Sequence, residues 1–367
     1  MSMVEWKKLG DVCEVLRGKR LTKSQLSDTE GYPVLHGGSM PMGYYSEYNR
    51  KANTTVVVNT GNAGCVFFYD KKFWSSDACF SLYPNEKIMD KFLYLYVYGC
   101  ERILKGKIRA GAMPTIDAKA VEDLIIPLPS LSEQERIVGI LDTFTSSIEN
   151  LKAQISLRRK QYEHYRDKLL DLEGKVEWFE IQELCNYVDY RGKTPSKVDA
   201  GIFLVTAKNI RKGYIDYDNS KEYISKDDYD KVMHRGKPQI GDVLITTEAP
   251  LGNVAQIDNK NIALAQRVIK YRPKDERLNS SYLKYILLGS EFQIRLEKEA
   301  TGATAKGIKG SKLHKMQIPL PSLQEQSRIV SILDEFEASI KNLEAQLAQR
   351  EKQYEYYREK LLTFERE

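Results

Sequence analysis

The side chains in this sequence that could do chemistry are cations, carboxamides and phenols, and they occur in short clusters. The N-terminal third carries Arg17, Lys19 and Arg20, with Lys23 beside them, and then Tyr44, Tyr45, Arg50 and Lys51 around Tyr48. Lys105, Lys107 and Arg109 follow. A later segment carries Arg191 and Lys193, then Lys208, Asn209, Arg211 and Lys212, then His234, Arg235 and Lys237, and finally Gln266 with Arg267. Arginine, lysine, asparagine and glutamine neutralise phosphates or pair bidentately with base edges. Any one of them alone reads first as a solvated surface charge; the signal lies in the sets.

Bond-making chemistry has little to work with. Gly302 to Gly307 approaches a phosphate-binding loop, but Ile308 stands where the motif needs lysine. Four histidines (His36, His164, His234, His314) lie far apart with no metal-ligand spacing. Five cysteines (Cys13, Cys65, Cys79, Cys100, Cys185) form no C-x-x-C pair, which suits reduced thiols in a cytoplasm. No G-x-S-x-G elbow and no N-P-P-[YF] motif of amino-methyltransferases is present. The expectation is a chain that catalyses nothing by itself, with no metal and no cofactor of its own.

The elements that must hold these clusters are announced by a repeat. Residues 126–173 recur at 318–365, offset by 192 positions and roughly two-thirds identical. In the first copy Ile137, Leu141, Phe144, Ile148, Leu151, Ile155, Tyr162, Tyr165, Leu169 and Leu172 step by four and three, the seam of a coiled coil over about five heptads. The second copy keeps that register from Ile329 to Phe364. One seam position breaks it in both copies, as Arg158 and Arg350. Such a charge either sets register or snorkels out along its own stem.

Pro127 and Pro129, and Pro319 and Pro321, keep the chain extended ahead of each helix. Ser130 with Glu133 and Ser322 with Glu325 fit the S-x-x-E capping box, with Ser132 and Glu135 as a second possible start, and Gly174 fits a stop. Each helix should be roughly 60 Å long. A stripe of this kind packs on its own domain or on a second helix. The strict 3.5-residue period and the matching copy favour pairing within the chain, most simply antiparallel, with the two modules about a pseudo-two-fold axis.

At 367 residues and 42% hydrophobic content the chain has material for several cores. The start is too polar for a signal peptide and the most apolar run, 92–100, is too short to span a bilayer, so a cytoplasmic protein is expected. Net charge is +3 over 1–126 and +6 over 174–317, against −1 and −3 on the two helical segments. Basic globular parts fit phosphate backbones. Both parts read as mixed. Residues 54–70 look like two strands around Gly61 to Gly64, residues 241–247, 254–257 and 266–271 like further strands, and 90–105 and 280–298 like helices. Val4-Glu5-Trp6 against Val176-Glu177-Trp178, Cys13 against Cys185, and Arg17-Gly-Lys against Arg191-Gly-Lys suggest one fold used twice.

With two copies of I-P-L-P-S-L-x-E-Q-x-R-I-V running into heptads, each after a variable domain that ends in a Gly-rich turn (Gly111-Ala112, Gly302-Ala303), the chain resembles the specificity (S) subunit of a Type I restriction–modification system. The likeness covers essentially the whole chain. It implies an α+β architecture of two mixed target-recognition domains, 1–126 and 174–317, joined by helical regions 127–173 and 318–367 that pair as an antiparallel coiled coil. Each domain would read one half of a split double-stranded DNA site, and the helices would space the halves.

The resemblance also implies two DNA adenine methyltransferase (M) subunits docked on the chain and restriction (R) subunits in the full complex. S-adenosylmethionine, ATP and Mg would then sit on those partners, and this chain would be a monomer when alone. Unlike domains imply two unrelated half-sites, with centres about one helical turn, ~34 Å, apart. The competing readings are a stand-alone DNA-binding regulator, for which no helix-turn-helix is visible, and a coiled-coil scaffold indifferent to DNA.

Overall fold

One topology is used twice in the computed structural model, which describes residues 4–38, 40–174, 176–190, 195–302 and 306–364. The first repeat runs β1 (Glu5–Lys8), β2 (Cys13–Arg17), β3 (Tyr32–Leu35), β4 (Tyr44–Tyr45), β5 (Thr54–Val58), β6 (Val66–Tyr69), β7 (Trp74–Ser75), β8 (Cys79–Pro84), α1 (Asp90–Gly99), α2 (Glu101–Lys105), α3 (Ala118–Glu122), β9 (Ile125–Leu128) and α4 (Leu131–Leu169). The second runs β10 (Trp178–Glu180), α5 (Ile181–Leu184), β11 (Cys185–Asp189), β12 (Ile202–Val205), β13 (Tyr223–Ile224), α6 (Tyr229–Val232), β14 (Val243–Thr246), β15 (Val254–Gln256), β16 (Ile262–Leu264), β17 (Val268–Pro273), α7 (Ser280–Leu288), α8 (Ser290–Glu299), α9 (Gly310–Leu313), β18 (Gln317–Pro319) and α10 (Leu323–Leu362).

The chain forms two compact units, Met1–Lys152 with Gln346–Glu367, and Ala153–Ala345. In the first unit the strand orders are β2-β8-β5-β6, β4-β3-β7 and β1-β9; in the second they are β11-β17-β14-β15, β13-β12-β16 and β10-β18. The orders correspond strand for strand, down to the single parallel pairings of β3 with β7 and β12 with β16. β5 is a Thr-Thr-Val-Val-Val run buried along its whole length, as a central strand covered on both faces should be. It turns into β6 through Gly61 and Gly64, both at positive φ, with Gly64 N–H bonded to Val58 O at 2.8 Å. The helical patterns at 90–105 and 280–298 are each broken, at Cys100 and Gly289. A Cβ at Gly289 would lie 3.1 Å from Leu170 Cδ1, so the break lies where the end of α4 comes close.

The apolar stripe of each long helix has two uses along its length. Ile137 and Leu141 are fully buried in the first unit's core with Leu82, Phe92, Leu93 and Ile126, and Tyr354 and Leu361 from the far end of α10, with Phe364 just beyond it, pack on the same core. Ile329 and Leu333 are buried in the second core with Ile245, Tyr271 and Tyr285, joined by Tyr162 and Leu169 of α4. Between these ends the helices pair. Phe144 stacks on Tyr357 at 5.3 Å and Lys152 bridges Glu351 at 3.1 Å in the first unit. Arg159 bridges Glu344 at 2.5 Å and Tyr165 stacks on Phe336 at 5.5 Å in the second. In both units rising numbers on one helix meet falling numbers on the other, so the pairing is antiparallel.

The seam arginines take part in this pairing. Arg158 lies over the Phe336 ring at 5.8 Å and Arg350 over Phe144 at 5.5 Å, cation–π contacts of about 0.5–2 kcal/mol each. Each phenylalanine thus meets an arginine and a tyrosine, the same trio in both units.

The helix starts correct the capping-box expectation by half. Glu133 N–H donates to Ser130 Oγ and Glu325 N–H to Ser322 Oγ, both at 3.3 Å, but the glutamate carboxylates pair with Arg136 and Arg328 instead of reaching back. Ser132 lies inside α4. Gly174, at positive φ, lies beyond the helix end at Leu169, so it turns the chain without capping the helix.

Gln134 and Gln326 explain the glutamine of the repeated motif. Gln134 Nε2 donates to Lys87 O and Pro129 O (2.8 and 3.0 Å) while its Oε1 accepts from Met89 N–H at 2.9 Å. Gln326 does the same with Arg277 O, Pro321 O and Asn279 N–H (2.7, 2.8 and 2.8 Å). Both are fully buried and tie the loop before α1 or α7 to the foot of a long helix. Replacing either by leucine strands buried backbone groups, so each variant should lose about 1–3 kcal/mol in a urea titration, as separate losses in separate units. No loss from either would refute the pinning role.

Candidate nucleic-acid interface

At one end of the first unit's main sheet, backbone hydrogen bonds build a frame. Asn59 N–H donates to Ala78 O at 2.9 Å, joining the end of β5 to the start of β8. Ile116 N–H donates to Asn59 O at 2.9 Å, and bridges of Thr115 with Thr60 and Arg109 fold the Gly-rich segment onto that end. Gly18 N–H reaches Cys79 O at 3.1 Å and Lys19 N–H reaches Ser75 O at 2.9 Å. Position 18 must be glycine, because a Cβ would lie 2.1 Å from Ser76 O.

This frame gathers part of the sequence-derived set. Arg17 is exposed with Nε bonded to Asp77 O at 3.0 Å, and the exposed Lys19 and Arg20 follow it. Trp74 donates from Nε1 to Lys19 O at 2.8 Å and meets Tyr45 edge-on at 4.9 Å. Trp74 was not among the sequence candidates; it sits on a two-residue strand, too short for periodicity to mark. Tyr44 is half-buried on the same strand as Tyr45, bonded through its backbone to Ser27 at 2.8 Å.

Two candidates are corrected. Arg50 is buried, with Nη1 donating to Asn49 O at 2.7 Å and Nη2 to Arg17 O at 2.9 Å; burial lowers its guanidinium from the ordinary arginine value. It braces the loop that carries Arg17 and has no face for a phosphate. Asn209 is fully buried: its Oδ1 accepts from Thr206 N–H and Oγ1–H (2.9 and 2.8 Å), and its Nδ2 donates to Asp216 O at 3.0 Å and to Asn219 O. Lys51 is exposed but turns towards Asp90 (3.5 Å) and the Tyr83 ring (5.2 Å), away from Arg17.

The second unit repeats the frame. Thr247 N–H donates to Arg267 O at 3.0 Å, Ile308 N–H to Thr247 O at 2.9 Å, and Thr301 bridges Gly307. Gln266 and Arg267 line a cleft of about 710 Å³ with Asp189, Glu248 and Lys309. Arg267 is exposed and pairs with Glu248 at 3.0 Å. Arg235 joins this end by donating from Nη1 to Asp189 O at 3.0 Å. His234 and Lys237 are occupied nearby, His234 Nδ1 at 2.8 Å from Lys231 O and Lys237 Nζ at 2.6 Å from Asp230.

Lys208, Arg211 and Lys212 lie on a different hairpin, whose Gly213 N–H bonds Val254 O at 2.7 Å along β15. Arg211 pairs with Asp216 at 3.3 Å, while Lys208 and Lys212 are exposed. Arg191 and Lys193 lie outside the described residues. The strand register also revises their alignment with Arg17 and Lys19. Cys13 faces Pro84 and Arg17 faces Phe80, whereas Cys185 faces Pro273 and Asp189 faces Ile269, so Asp189 holds the place of Arg17.

Several charges in the second unit are internal. Arg272 chelates Asp242 (2.6 and 2.7 Å) with Lys270 at 3.5 Å, and burial lowers the Lys270 ammonium against the pull of Asp242. Lys284 is buried against Glu337 at 3.0 Å. The positive excess counted over 174–317 therefore overstates the surface. Burial pushes the Cys13, Cys79 and Cys185 thiols up to about 12 and Cys100 up to about 11, which keeps them protonated. His314 is buried between Tyr271 Oη, 2.8 Å away, and the stacked Tyr187 ring. Among the described residues no group of three or more His, Cys, Asp or Glu could hold a metal, and no helix is long and apolar enough to cross a membrane.

Known proteins share this fold. The chain is 28% identical over 393 residues to the specificity subunit of the Escherichia coli type I restriction enzyme EcoR124I/EcoR124II, with 98% of this chain and 94% of the relative covered. A crystal structure of the S subunit of a type I restriction–modification system from M. genitalium superposes with a TM-score of 0.66 at 17% identity, over 100% of this chain and 98% of that one. A chain from a structural study of complex assembly and conformational transition of the type I system superposes at 0.60 and 20% identity, over 99% and 97%. The model of the Type I restriction modification DNA specificity domain matches twice, at residues 1–158 and 173–351. With one such domain over each repeat, the chain belongs to the Type I restriction–modification specificity family.

Proposed function

We propose that this chain reads both halves of a bipartite DNA site for a Type I restriction–modification complex, and that it catalyses nothing itself. The recognition domains are 1–126 and 174–317, and the helical regions 127–173 and 318–367 set the separation of the half-sites. The observation that carries this reading is the shared frame: identical backbone hydrogen bonds at the sheet end of both units present different side chains, Arg17, Lys19 and Arg109 in one and Gln266, Arg267 and Arg235 in the other. One scaffold with two unlike polar surfaces suits two unlike short sequences.

The partners follow from that role. Two adenine methyltransferase subunits dock on the chain and supply S-adenosylmethionine; restriction subunits join them with ATP and Mg; and the assembly works in the cytoplasm. No resident cofactor is needed here, and thiols held protonated by burial suit a subunit that does no covalent chemistry. Phosphate contacts come from Arg17, Lys19, Arg20, Lys208 and Lys212, whose side chains are exposed.

Co-expression with its methyltransferase subunit and single-molecule mapping of N6-methyladenine should give a bipartite motif with a fixed gap. A stable complex that methylates continuous or unrelated sites would refute the bipartite reading, and failure to form any complex would favour a regulator or scaffold. Within that complex, Lys19→Ala should leave stability unchanged and reduce the slope of log affinity against log salt by about one. Arg50→Ala should instead cost about 1–3 kcal/mol of stability in a thermal or urea titration. An Arg50→Ala protein of wild-type stability with the reduced salt slope would reverse these assignments.

A further inference from the structure

The shared frame allows position-by-position comparison at the sheet ends. The bonds that equate Asn59 with Thr247, Ala78 with Arg267 and Ile116 with Ile308 also equate Thr60 with Glu248 and Asp117 with Lys309. The bridges of Arg109 to Thr115 and Thr301 to Gly307 equate Arg109 with Thr301. Among the described residues each unit therefore has one exposed guanidinium–carboxylate pair at this end, hung from different elements. In the first unit Arg109, on the Gly-rich segment, pairs with Asp117; in the second Arg267, at the start of β17, pairs with Glu248. The other unit carries no such pair at the equivalent places: Ala78 and Thr60 stand at the positions of the second pair, Thr301 and Lys309 at those of the first.

We propose that each pair reads a G·C base pair in its own half-site, which rests on the DNA-reading role above. The arginine fork donates to guanine O6 and N7, and the carboxylate accepts from the cytosine N4 amino group. A guanidinium meant for a phosphate gains nothing from an acidic neighbour, which repels the backbone. Beside a G·C pair the same carboxylate has a donor to meet. An exposed ion pair contributes little by itself, so the base pair can open it at small cost.

The backbone at Arg267 supports the same role. Its φ is +68°, a left-handed conformation that a side-chain-bearing residue rarely adopts, and Thr247 holds it by donating from both N–H (3.0 Å) and Oγ1–H (3.3 Å) to Arg267 O. Gln266, next to it in the cleft, extends the same polar edge.

The test uses the complete chain in complex with its methyltransferase subunit, read out by N6-methyladenine mapping. The wild-type complex is mapped first; absence of a bipartite motif there refutes the underlying reading. Given a motif, Arg267→Ala should make one G·C position of one half-site degenerate, with about tenfold or greater loss of discrimination, and leave the other half unchanged. Arg109→Ala should act in the other half. Glu248→Gln should weaken the same position as Arg267→Ala. Arg267→Lys separates base reading from phosphate binding, because lysine keeps the charge and loses the fork; it should not restore the wild-type motif. The proposal is overturned by an unchanged motif in Arg267→Ala, by changes in both halves from one variant, by restoration in Arg267→Lys, or by a half-site lacking any G·C pair.

Discussion

Each globular core is closed by the end of a helix that begins in the other repeat. Ile137 and Leu141 of α4 enter the first core together with Tyr354 and Leu361 of α10 and Phe364 just past its end, and Ile329 and Leu333 enter the second with Tyr162 and Leu169. Ile137, Leu141, Ile329 and Leu333 are wholly inaccessible to solvent, and each contributes roughly 2 kcal/mol by burial. Set against a net stability of about 5–15 kcal/mol for a whole domain, that contribution decides whether a unit folds. A helix of about 40 residues with a sparse apolar stripe is held in turn by the cores at its ends. Helix and core therefore depend on each other, and Arg158 over Phe336 and Arg350 over Phe144 join the two helices between those ends.

This dependence accounts for what could be read in the sequence. Residues that serve the joint between helix and core do the same work twice, so they recur almost unchanged, and their spacing revealed the long helices and their mutual pairing. The Gln134 and Gln326 pins belong to that joint, although their partners are backbone atoms and only the structure names them. The capping prediction was half right for a related reason. The serines act locally, as capping requires, whereas Glu133 and Glu325 had a stronger charged partner one turn on, in Arg136 and Arg328.

The polar clusters were less legible because residue type does not encode exposure. Arg50 and Asn209 have the side chains of base readers and serve as internal braces, satisfying carbonyls and amides of loops that no ladder covers. The match of Arg17-Gly-Lys to Arg191-Gly-Lys compared letters, whereas strand register sets Asp189 opposite Ile269 where Arg17 stands opposite Phe80. Backbone frames leave little trace in side-chain identity, so the correspondence of Ala78 with Arg267 could not be found by comparing the two segments. Charge counting overstates the surface in the same way, since Lys270 and Lys284 contribute to the sum while buried beside Asp242 and Glu337.

The same frame explains how recognition can change without endangering the fold. Its hydrogen bonds run between main-chain atoms of Asn59 and Ala78, or Thr247 and Arg267, and do not depend on which side chains those positions carry. Alanine and arginine occupy equivalent places in two units that share one sheet order. Substitution at an exposed place such as Arg267 costs the fold little, whereas Asn59 and Thr247 beside it are buried. Substitution in the repeated helices is different, since one residue there touches a core, a pin or the partner helix. Constraint thus falls on the helices and freedom on the sheet ends, which is the division a protein needs if its spacing is to stay fixed while the sequences it reads diverge.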